Sequence, residues 1–292
     1  MEVAVRLEQP DLVRPDASRS LRWTAPDAPE IAILNGNGTA FEGGSDAPDL
    51  SLKWVPRGAA EYRSEGRSHR LAAGRQLMLN RGQPYRLRML KPSETFVLFF
   101  PKPLCDAAWQ ALSGTGDALP EVPPLSAEAP LPLVAHVNAL RTEAHQEKPD
   151  GKRLHEISLA VLTEMVALAA FRRGQLGLVP ALRPTTRREL LQRLLRAQDY
   201  LSAVGADATL AGTAKAAALS PFHLIRAFRA VFGETPFAYA AGIRLDRARQ
   251  TLLASRLPIA EVAQRAGYDS RTAFDRAFAR RFGAAPGALR NS

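Results

Sequence analysis

The sequence holds a single cysteine, Cys105, and contains no long run of apolar residues. One cysteine cannot form an internal disulfide, and a chain so poor in cysteine suits a reducing compartment. No stretch approaches the ~18 consecutive apolar residues of a membrane-spanning helix. Residues 1–16 mix charges with prolines where a secretory signal would have an apolar core. We therefore expect a cytoplasmic protein that does not contact membranes.

Histidine is also scarce, which argues against a metal site. The chain has 5 histidines, and only His69 lies within residues 1–103. Transition metals in β-barrels are commonly held by two or three histidines together with a carboxylate. We therefore predict no metal and no cofactor, and we interpret His69 as a surface or hydrogen-bonded histidine.

The net charge of +10 is concentrated near the C-terminus. Residues 184–292 contain 17 Lys and Arg against 8 Asp and Glu, a balance of +9, whereas the rest of the chain contains 22 against 21. A basic face of this kind attracts polyanions and makes their binding strongly dependent on salt. Basicity alone is a weak indicator, so the motifs within this segment decide the interpretation.

One short pattern occurs twice between residues 209 and 286. A shift of 50 positions places Ser220 on Ser270, residues 226–228 on 276–278 and residues 232–233 on 282–283, and further upstream the shift is 49. Each copy predicts two helices, the second with a serine N-cap, phenylalanines four residues apart and a glycine at its end. Two short helices joined by a tight turn form a helix-turn-helix.

The second helix of each copy is predicted to expose a face opposite its phenylalanines. In the first copy this face carries Phe222, Ile225, Arg226 and Arg229, and in the second Arg271, Thr272, Asp275, Arg276 and Arg280. A helix fits the major groove of DNA, where arginine pairs with guanine and apolar groups contact the thymine methyl. For a single helix of this kind, the competing interpretation is that its phenylalanines belong to the core and its exposed arginines are merely solvated. Two copies at a fixed spacing favour DNA binding.

Residues 189–290 resemble the AraC family of bacterial transcription regulators. The resemblance is carried by an ordered run with its gaps respected: Ser220, Leu224, Arg226, Phe228, Gly233, Pro236, Arg244-Leu245, Ala248, Leu252-Leu253, Ile259, Val262-Ala263, Gly267-Tyr268, Phe274, Arg276, Phe278, Gly283 and Pro286. It implies two helix-turn-helix units tied by a rigid linking helix, with their recognition helices in successive major-groove segments. The residues it places at reading positions are Phe222, Ile225, Arg226, Arg271, Thr272, Asp275 and Arg276.

The first unit departs from the family pattern. Its turn has Ala218 where the family usually has glycine, and Gly212 lies inside the first helix, at a cost of about 1 kcal/mol relative to alanine. We therefore expect a less rigid first unit, or one that reads shape and methyl groups more than hydrogen bonds.

Residues 1–103 predict an all-β domain. Short apolar or alternating runs at 31–34, 50–55, 76–79, 85–90 and 95–100 are separated by glycine-rich turns, as in a sandwich or barrel. Residues 66–84 resemble the cupin-like sensor domain that often precedes the DNA-binding part in this family. Five aromatic side chains can either line a ligand pocket or fill the core, with the core favoured: Trp23, Phe41, Trp54, Tyr62 and Tyr85.

Helices are predicted around residues 104–112 and at 133–146 and 152–173, followed by a linker at 174–184. The helix over 152–173 has an apolar stripe at Leu154, Ile157, Val161, Met165 and Leu168 that suits either its own barrel or a homodimer seam. The predicted architecture is thus α+β and multidomain: a cupin-like barrel at 1–103, a helical dimerisation region at 104–183, and an all-α double helix-turn-helix domain at 184–292.

The sequence therefore predicts a regulator that binds double-stranded DNA. Further predicted partners are a second copy of the chain, a small-molecule effector and, for an activator, RNA polymerase. One of Arg226 and Arg276 can brace the phosphate backbone instead of reading a base. Two alternatives stay open: an architectural DNA-binding protein without sequence preference, and a cupin-type enzyme fused to a DNA-binding domain. The enzyme lacks metal ligands, and an alkyl-transfer repair enzyme would need more cysteines than Cys105 alone, so we predict no catalysis.

Overall fold

The computed structural model describes residues 5–8, 11–12, 21–22, 30–38, 42–46, 48–89, 92–121, 125–128 and 131–290. The chain forms two compact units, Met1–Gly174 and Gln175–Ser292. The finer predicted division at residues 103 and 183 stays a prediction. Within the described residues, no group of three or more His, Cys, Asp and Glu side chains is placed to hold a metal ion.

The N-terminal unit contains two β-sheets. In chain order its described strands are β1 Val5–Glu8, β2 Asp11–Leu12, β3 Leu21–Arg22, β4 Ile31–Gly38, β5 Glu42–Ser45, β6 Leu50–Arg57, β7 Ala59–Ser64, β8 Arg67–Ala72, β9 Arg75–Leu79, β10 Tyr85–Met89, β11 Ser93–Phe100 and β12 Leu125–Glu128. The seven-stranded sheet has the order β1-β4-β11-β6-β9-β12, with β2 also pairing with β4. The five-stranded sheet has the order β3-β5-β10-β7-β8.

Alternation along the strands gives the seven-stranded sheet two buried faces. On β6, Leu52 and Trp54 belong to one apolar cluster and Val55 belongs to another. The first cluster combines side chains of this sheet with side chains of the helices that follow it in the chain. The second combines side chains of both sheets and so lies between them.

The predicted strands are confirmed, and the sequence missed several others. Strands β4, β6, β9, β10 and β11 cover the five predicted runs. The hairpin of β7 and β8 was missed because its residues are mostly polar, although Glu65 and Gly66 both have positive φ at its turn. Trp54, Tyr62 and Tyr85 are buried in the core, whereas Trp23 and Phe41 lie outside the described residues.

Three helices complete the N-terminal unit: α1 Lys102–Ser113, α2 Leu131–Ala144 and α3 Gly151–Leu178. Leu154, Val161 and Met165 of the predicted stripe are buried in the cluster that α3 shares with the seven-stranded sheet. By length and composition α3 could cross a membrane, a test that core helices of soluble proteins also pass, and 39% of its apolar window is buried. We therefore interpret α3 as a core helix of this unit.

The predicted linker at 174–184 begins too early. Helix α3 continues through Gly174 and Gly177 to Leu178, so only Val179–Arg183 separate it from the next helix. Each glycine within α3 costs about 1 kcal/mol relative to alanine, which explains why the sequence predicts a linker there.

The C-terminal unit is all-helical. After the end of α3 it contains α4 Pro184–Val204, a 3-10 turn at Gly205–Asp207, α5 Leu210–Ala217, α6 Pro221–Phe232, α7 Pro236–Ala254, α8 Ile259–Arg265, α9 Arg271–Phe282 and α10 Pro286–Arg290. The predicted turns are confirmed, and the one between α8 and α9 is the longer.

The repeated unit has three helices rather than two. A shift of 51 positions places Leu194, Ala197 and Leu201 of α4 on Leu245, Ala248 and Leu252 of α7, and all of these side chains are buried. Helices α4, α5 and α6 therefore correspond to α7, α8 and α9. The long helix of each copy supplies the surface against which its helix-turn-helix packs.

Candidate nucleic-acid interface

Helix α6 is fixed at both ends by its own sequence. The Ser220 hydroxyl accepts a hydrogen bond from the backbone N–H of His223, Pro221 occupies the first turn, and Gly233 ends the helix with φ 79°. Phe228 is fully buried and lies 4.5 Å from Phe232, centroid to centroid. With its inner face held in the core, α6 presents its opposite face at a fixed angle.

The opposite face of α6 is apolar and basic. Phe222 is 74% exposed, which is unusual for a phenylalanine in a folded chain. The guanidinium of Arg226 lies over the Phe222 ring at 5.6 Å from its centroid, and Arg229 is exposed one turn further on. Ile225 is half-buried at the edge of this face. The structure thus brings Phe222 and Arg226 together as one exposed pair.

Helix α9 repeats this plan with more polar groups. The Ser270 hydroxyl caps it by accepting a hydrogen bond from the N–H of Ala273, and Gly283 ends it with φ 72°. Phe274 and Phe278 are fully buried. The first turn of α9 is therefore exposed and rigidly directed, as in α6.

The predicted reading residues of α9 contact one another. Arg271 Nε lies 3.6 Å from Asp275 Oδ2, and Arg276 Nε donates to the backbone oxygen of Thr272 at 3.4 Å. Arg271, Thr272 and Arg276 are exposed and Asp275 is half-buried. The guanidinium of Arg271 has further N–H donors besides Nε, and these can bond a base or a phosphate while Arg271 stays beside Asp275.

The electrostatic character of the two helices is strongly positive. Together α6 and α9 contain six arginines and one carboxylate, that of Asp275. Arg281 is bonded to Asp246 and Arg271 lies beside Asp275, whereas Arg226, Arg229, Arg276 and Arg280 are exposed on the outer faces of the two helices. This surface can hold a polyanion, and its guanidinium groups can donate paired hydrogen bonds to guanine or phosphate.

Sequence reasoning missed the arginines that brace the two turns. Arg193 of α4 donates to the backbone oxygen of Ala218 at 3.0 Å, and Arg244 of α7 donates to that of Gly267 at 3.5 Å. Arg244 also lies over the Tyr268 ring at 5.5 Å. The two arginines are 51 positions apart and the two turn residues 49 apart, so extending the repeat search to α4 would have found them. Each long helix thereby fixes the turn that aims its recognition helix.

A third missed arginine joins α9 to the middle of α7. Arg281 Nε and Nη2 donate to the two carboxylate oxygens of Asp246 at 3.0 and 2.6 Å. This hydrogen bonding raises the pKa of Arg281 above its usual range. The guanidinium crosses Gly242, where an added Cβ would lie 2.7 Å from Arg281 Nη1. Glycine at 242 therefore admits the bidentate bridge that sets the angle between α7 and α9.

The departures of the first unit have local explanations. Ala218 adopts the left-handed conformation with φ 51° and ψ 45°, which is unfavourable for alanine. Gly212 is required by close packing, because a Cβ there would lie 2.2 Å from the Tyr200 hydroxyl oxygen. Glycine at 212 thus admits Tyr200, whereas alanine at 218 carries conformational strain.

Comparisons with known proteins match both units. A helix-turn-helix domain model matches residues 213–292, and an AraC-binding-like domain model matches residues 39–172. The RCS-specific HTH-type transcriptional activator RclR of Escherichia coli (strain K12) is 36% identical over 93 residues, which are 32% of this chain and 33% of that protein. The arabinose operon regulatory protein of the same strain is 28% identical over 130 residues, 44% of each chain.

Among solved structures, the C-terminal domain of AraT, a response regulator from Geobacillus stearothermophilus, is 32% identical. The match covers 35% of this chain and 86% of that one, with a TM-score of 0.33. The chain matches less than half the length of the curated relatives named above. Both domain models and these curated relatives nevertheless agree, and together they support an AraC-family transcriptional regulator with an N-terminal binding domain.

Proposed function

We propose that this chain is a sequence-specific DNA-binding transcription regulator whose helices α6 and α9 read successive major-groove segments. The observation that carries the proposal is the pair of capped helices, each with buried phenylalanines inside and exposed arginines outside. The relatives support it, since RclR is a transcriptional activator and the arabinose protein is an operon regulatory protein.

The length of α7 supports reading on one face of the DNA. At 19 residues and a rise of 1.5 Å per residue, α7 is about 28 Å long. Successive major-groove segments on one face of B-DNA are ~34 Å apart. With Asp246 bonded to Arg281 and Arg247 donating to the backbone oxygen of Ser202 at 2.8 Å, α7 acts as a spacer of fixed length.

We assign base contacts to the exposed faces. Arg226 and Arg276 suit paired hydrogen bonds to guanine, and Phe222 and Ile225 suit contact with thymine methyl groups. In the second unit, Arg271, Thr272 and Asp275 surround Arg276 and offer donors and acceptors to neighbouring bases. Should one of Arg226 and Arg276 bond only phosphate, its removal would weaken binding equally for all sequences.

The remaining assignments follow from this role. A regulator that binds double-stranded DNA acts in the cytoplasm of a bacterial cell, and an activator would contact RNA polymerase. The exposed side chains of Leu112 and Phe171 supply apolar surface for a homodimer, and the N-terminal unit is the place for a small-molecule effector. We propose no catalytic activity.

Selection from random duplex DNA tests the proposal. Full-length protein is incubated with a random library at ~0.15 M salt, and the bound pool is sequenced over several rounds. We expect two short boxes about one helical turn apart. Enrichment of only one box would mean that only one of α6 and α9 reads bases. Salt-sensitive binding without enrichment would replace this proposal with an architectural DNA-binding role.

A further inference from the structure

Helix α6 carries an aromatic side chain at a position where α9 carries a small polar one. The shift of 50 positions places Phe222 on Thr272 and Arg226 on Arg276. Both helices have 12 residues, a serine N-cap and a glycine at the end. The two helices therefore offer a comparison within one chain, and they differ in the side chain that stands one turn before the matched arginine.

The Phe222 ring is an apolar surface on the first turn of α6. Its side chain is 74% exposed, and Ile225 adds a half-buried apolar side chain at the edge of the same face. An exposed apolar surface gains free energy when another apolar group covers it. On a helix that enters DNA, this surface favours contact with an apolar group of the major groove.

Arg226 is held by this ring and not by a hydrogen bond. Its guanidinium carbon lies 5.6 Å from the centroid of Phe222, and among the described residues the guanidinium forms no hydrogen bond or ion pair. A cation–π contact engages the face of the guanidinium, so its N–H groups stay free to donate to a base. In α9, by contrast, Arg276 Nε donates to the backbone oxygen of Thr272. Phe222 thus takes the positioning role that the backbone has in the second unit.

The spacing of the two side chains limits which bases they reach. Residues four positions apart on a helix are separated by a rise of about 6 Å, and successive bases of one strand are about 3.4 Å apart. Side chains that contact each other across this rise reach neighbouring base pairs. When Arg226 bonds O6 and N7 of a guanine, the Phe222 ring therefore lies against the edge of the adjacent base pair.

An apolar ring can distinguish few features of that edge. The edges of the base pairs present donors and acceptors in the major groove, and the apolar group among them is the C5 methyl of thymine. 5-Methylcytosine carries a methyl at the same atom. Because the ring forms no hydrogen bonds, it does not distinguish the O4 acceptor of thymine from the N4 donor of cytosine. It responds only to whether the methyl is present.

We propose that α6 recognises a C5-methylated pyrimidine beside a guanine, with Arg226 bonding the guanine and the Phe222 ring covering the methyl. Thymine and 5-methylcytosine both satisfy this site, so the first box is read in its sequence and in its cytosine methylation. Helix α9, with Thr272 in place of Phe222, depends less on a methyl group. This inference rests on the proposed function and goes beyond it by naming a base modification to which the first unit responds.

Base substitution in the selected two-box DNA tests the inference. The first box is the one whose base preference changes in Arg226→Ala. Duplexes carry thymine, uracil, cytosine or 5-methylcytosine beside the guanine of this box, each with its complementary base, and the same four bases replace a thymine of the second box as a control. Thymine differs from uracil only by the methyl, as does 5-methylcytosine from cytosine. Fluorescence anisotropy gives the affinity of the full chain for each duplex.

We expect thymine to be bound about fourfold more tightly than uracil, and 5-methylcytosine about fourfold more tightly than cytosine, as for the burial of one methyl group. Phe222→Ala should remove both differences. Phe237→Ala is the matched control and should retain them, since Phe237 is an exposed phenylalanine of the same unit that lies on α7. In the second box both differences should be smaller.

Three results would overturn the inference and leave the proposed function standing. These are equal affinities within both pairs of bases, a methyl dependence that persists in Phe222→Ala, and a selected first box without a thymine beside a guanine. Binding without any enriched box would overturn both proposals. Circular dichroism shows whether Phe222→Ala is folded, and should it not fold, the comparison of thymine with uracil on the wild type decides.

Discussion

Replacing Ala218 with glycine should stabilise the C-terminal unit. Ala218 ends α5 in the left-handed region at φ 51°, whereas the corresponding Gly267 of the second copy has φ 76°. An L-residue in this region costs about 1–2 kcal/mol, and glycine returns about 0.4–1 kcal/mol of that through the greater freedom of its unfolded chain. The net gain should be about 0.5–1 kcal/mol.

The reverse substitution at the matched position is the control. Gly267→Ala should lower the unfolding free energy by about 1 kcal/mol or more, because it introduces the same strain. Both changes leave the backbone oxygens that Arg193 and Arg244 bond in place. The two variants should therefore move stability in opposite directions without a change in which DNA sequences are bound.

Urea unfolding followed by circular dichroism at 222 nm gives the comparison, supported by thermal unfolding. A change of 1 kcal/mol corresponds to a Tm shift of about 2–5 °C for a unit of this size. An unchanged or lower unfolding free energy for Ala218→Gly would refute the reasoning. Glycine at 218 would then carry no conformational advantage, and the first turn would not be strained.

Three further predictions follow from particular contacts. Arg276→Ala should lower affinity for the selected DNA by about 1–3 kcal/mol and relax preference at one base pair, measured by fluorescence anisotropy on single-base variants; an equal loss on all sequences would assign it to phosphate. Gly212→Ala should lower the free energy of unfolding, because its Cβ would meet the Tyr200 hydroxyl. Adding Tyr200→Phe to this variant should restore part of the lost stability in the same urea assay. If the double variant is no more stable than Gly212→Ala alone, the clash does not involve that hydroxyl. Burial alone would raise the pKa of Glu94, but hydrogen bonds and charge from Arg141 and Arg57 lower it overall from the ordinary 4.5. Stability should therefore fall as the pH drops below about 4.5, and this dependence should weaken in Glu94→Gln; an unchanged profile would remove Glu94 as its source.

The C-terminal fold could be predicted in detail because local chemistry determines it. The serine N-caps Ser220 and Ser270 and the terminal glycines Gly233 and Gly283 are confirmed. Caps and four-residue phenylalanine spacing act within one helix, so a single sequence reveals them. The exposure of the α6 and α9 faces follows from the same periodicity.

Other features depend on contacts between distant parts of the chain. The bridge from Arg281 to Asp246 joins residues 35 positions apart, and no periodic pattern marks it. Alternation along β6 places Lys53 on the face opposite Leu52 and Trp54 and predicts that it is exposed, but the second sheet covers that face and buries the lysine fully. The hairpin of β7 and β8 was missed because most of its residues are polar, although Ala60, Tyr62 and Leu71 are buried between the sheets and β7 pairs with β10.

The central claim is that α6 and α9 read two boxes at a spacing fixed by α7. Its most direct test is the affinity of the full chain for the selected two-box DNA with 0, 5 or 10 base pairs inserted between the boxes. A half-turn insertion moves the second box to the opposite face of the duplex, and a full turn moves it ~34 Å further away. We predict that both insertions reduce affinity to that of a single box. Equal affinity at all three spacings would contradict the account.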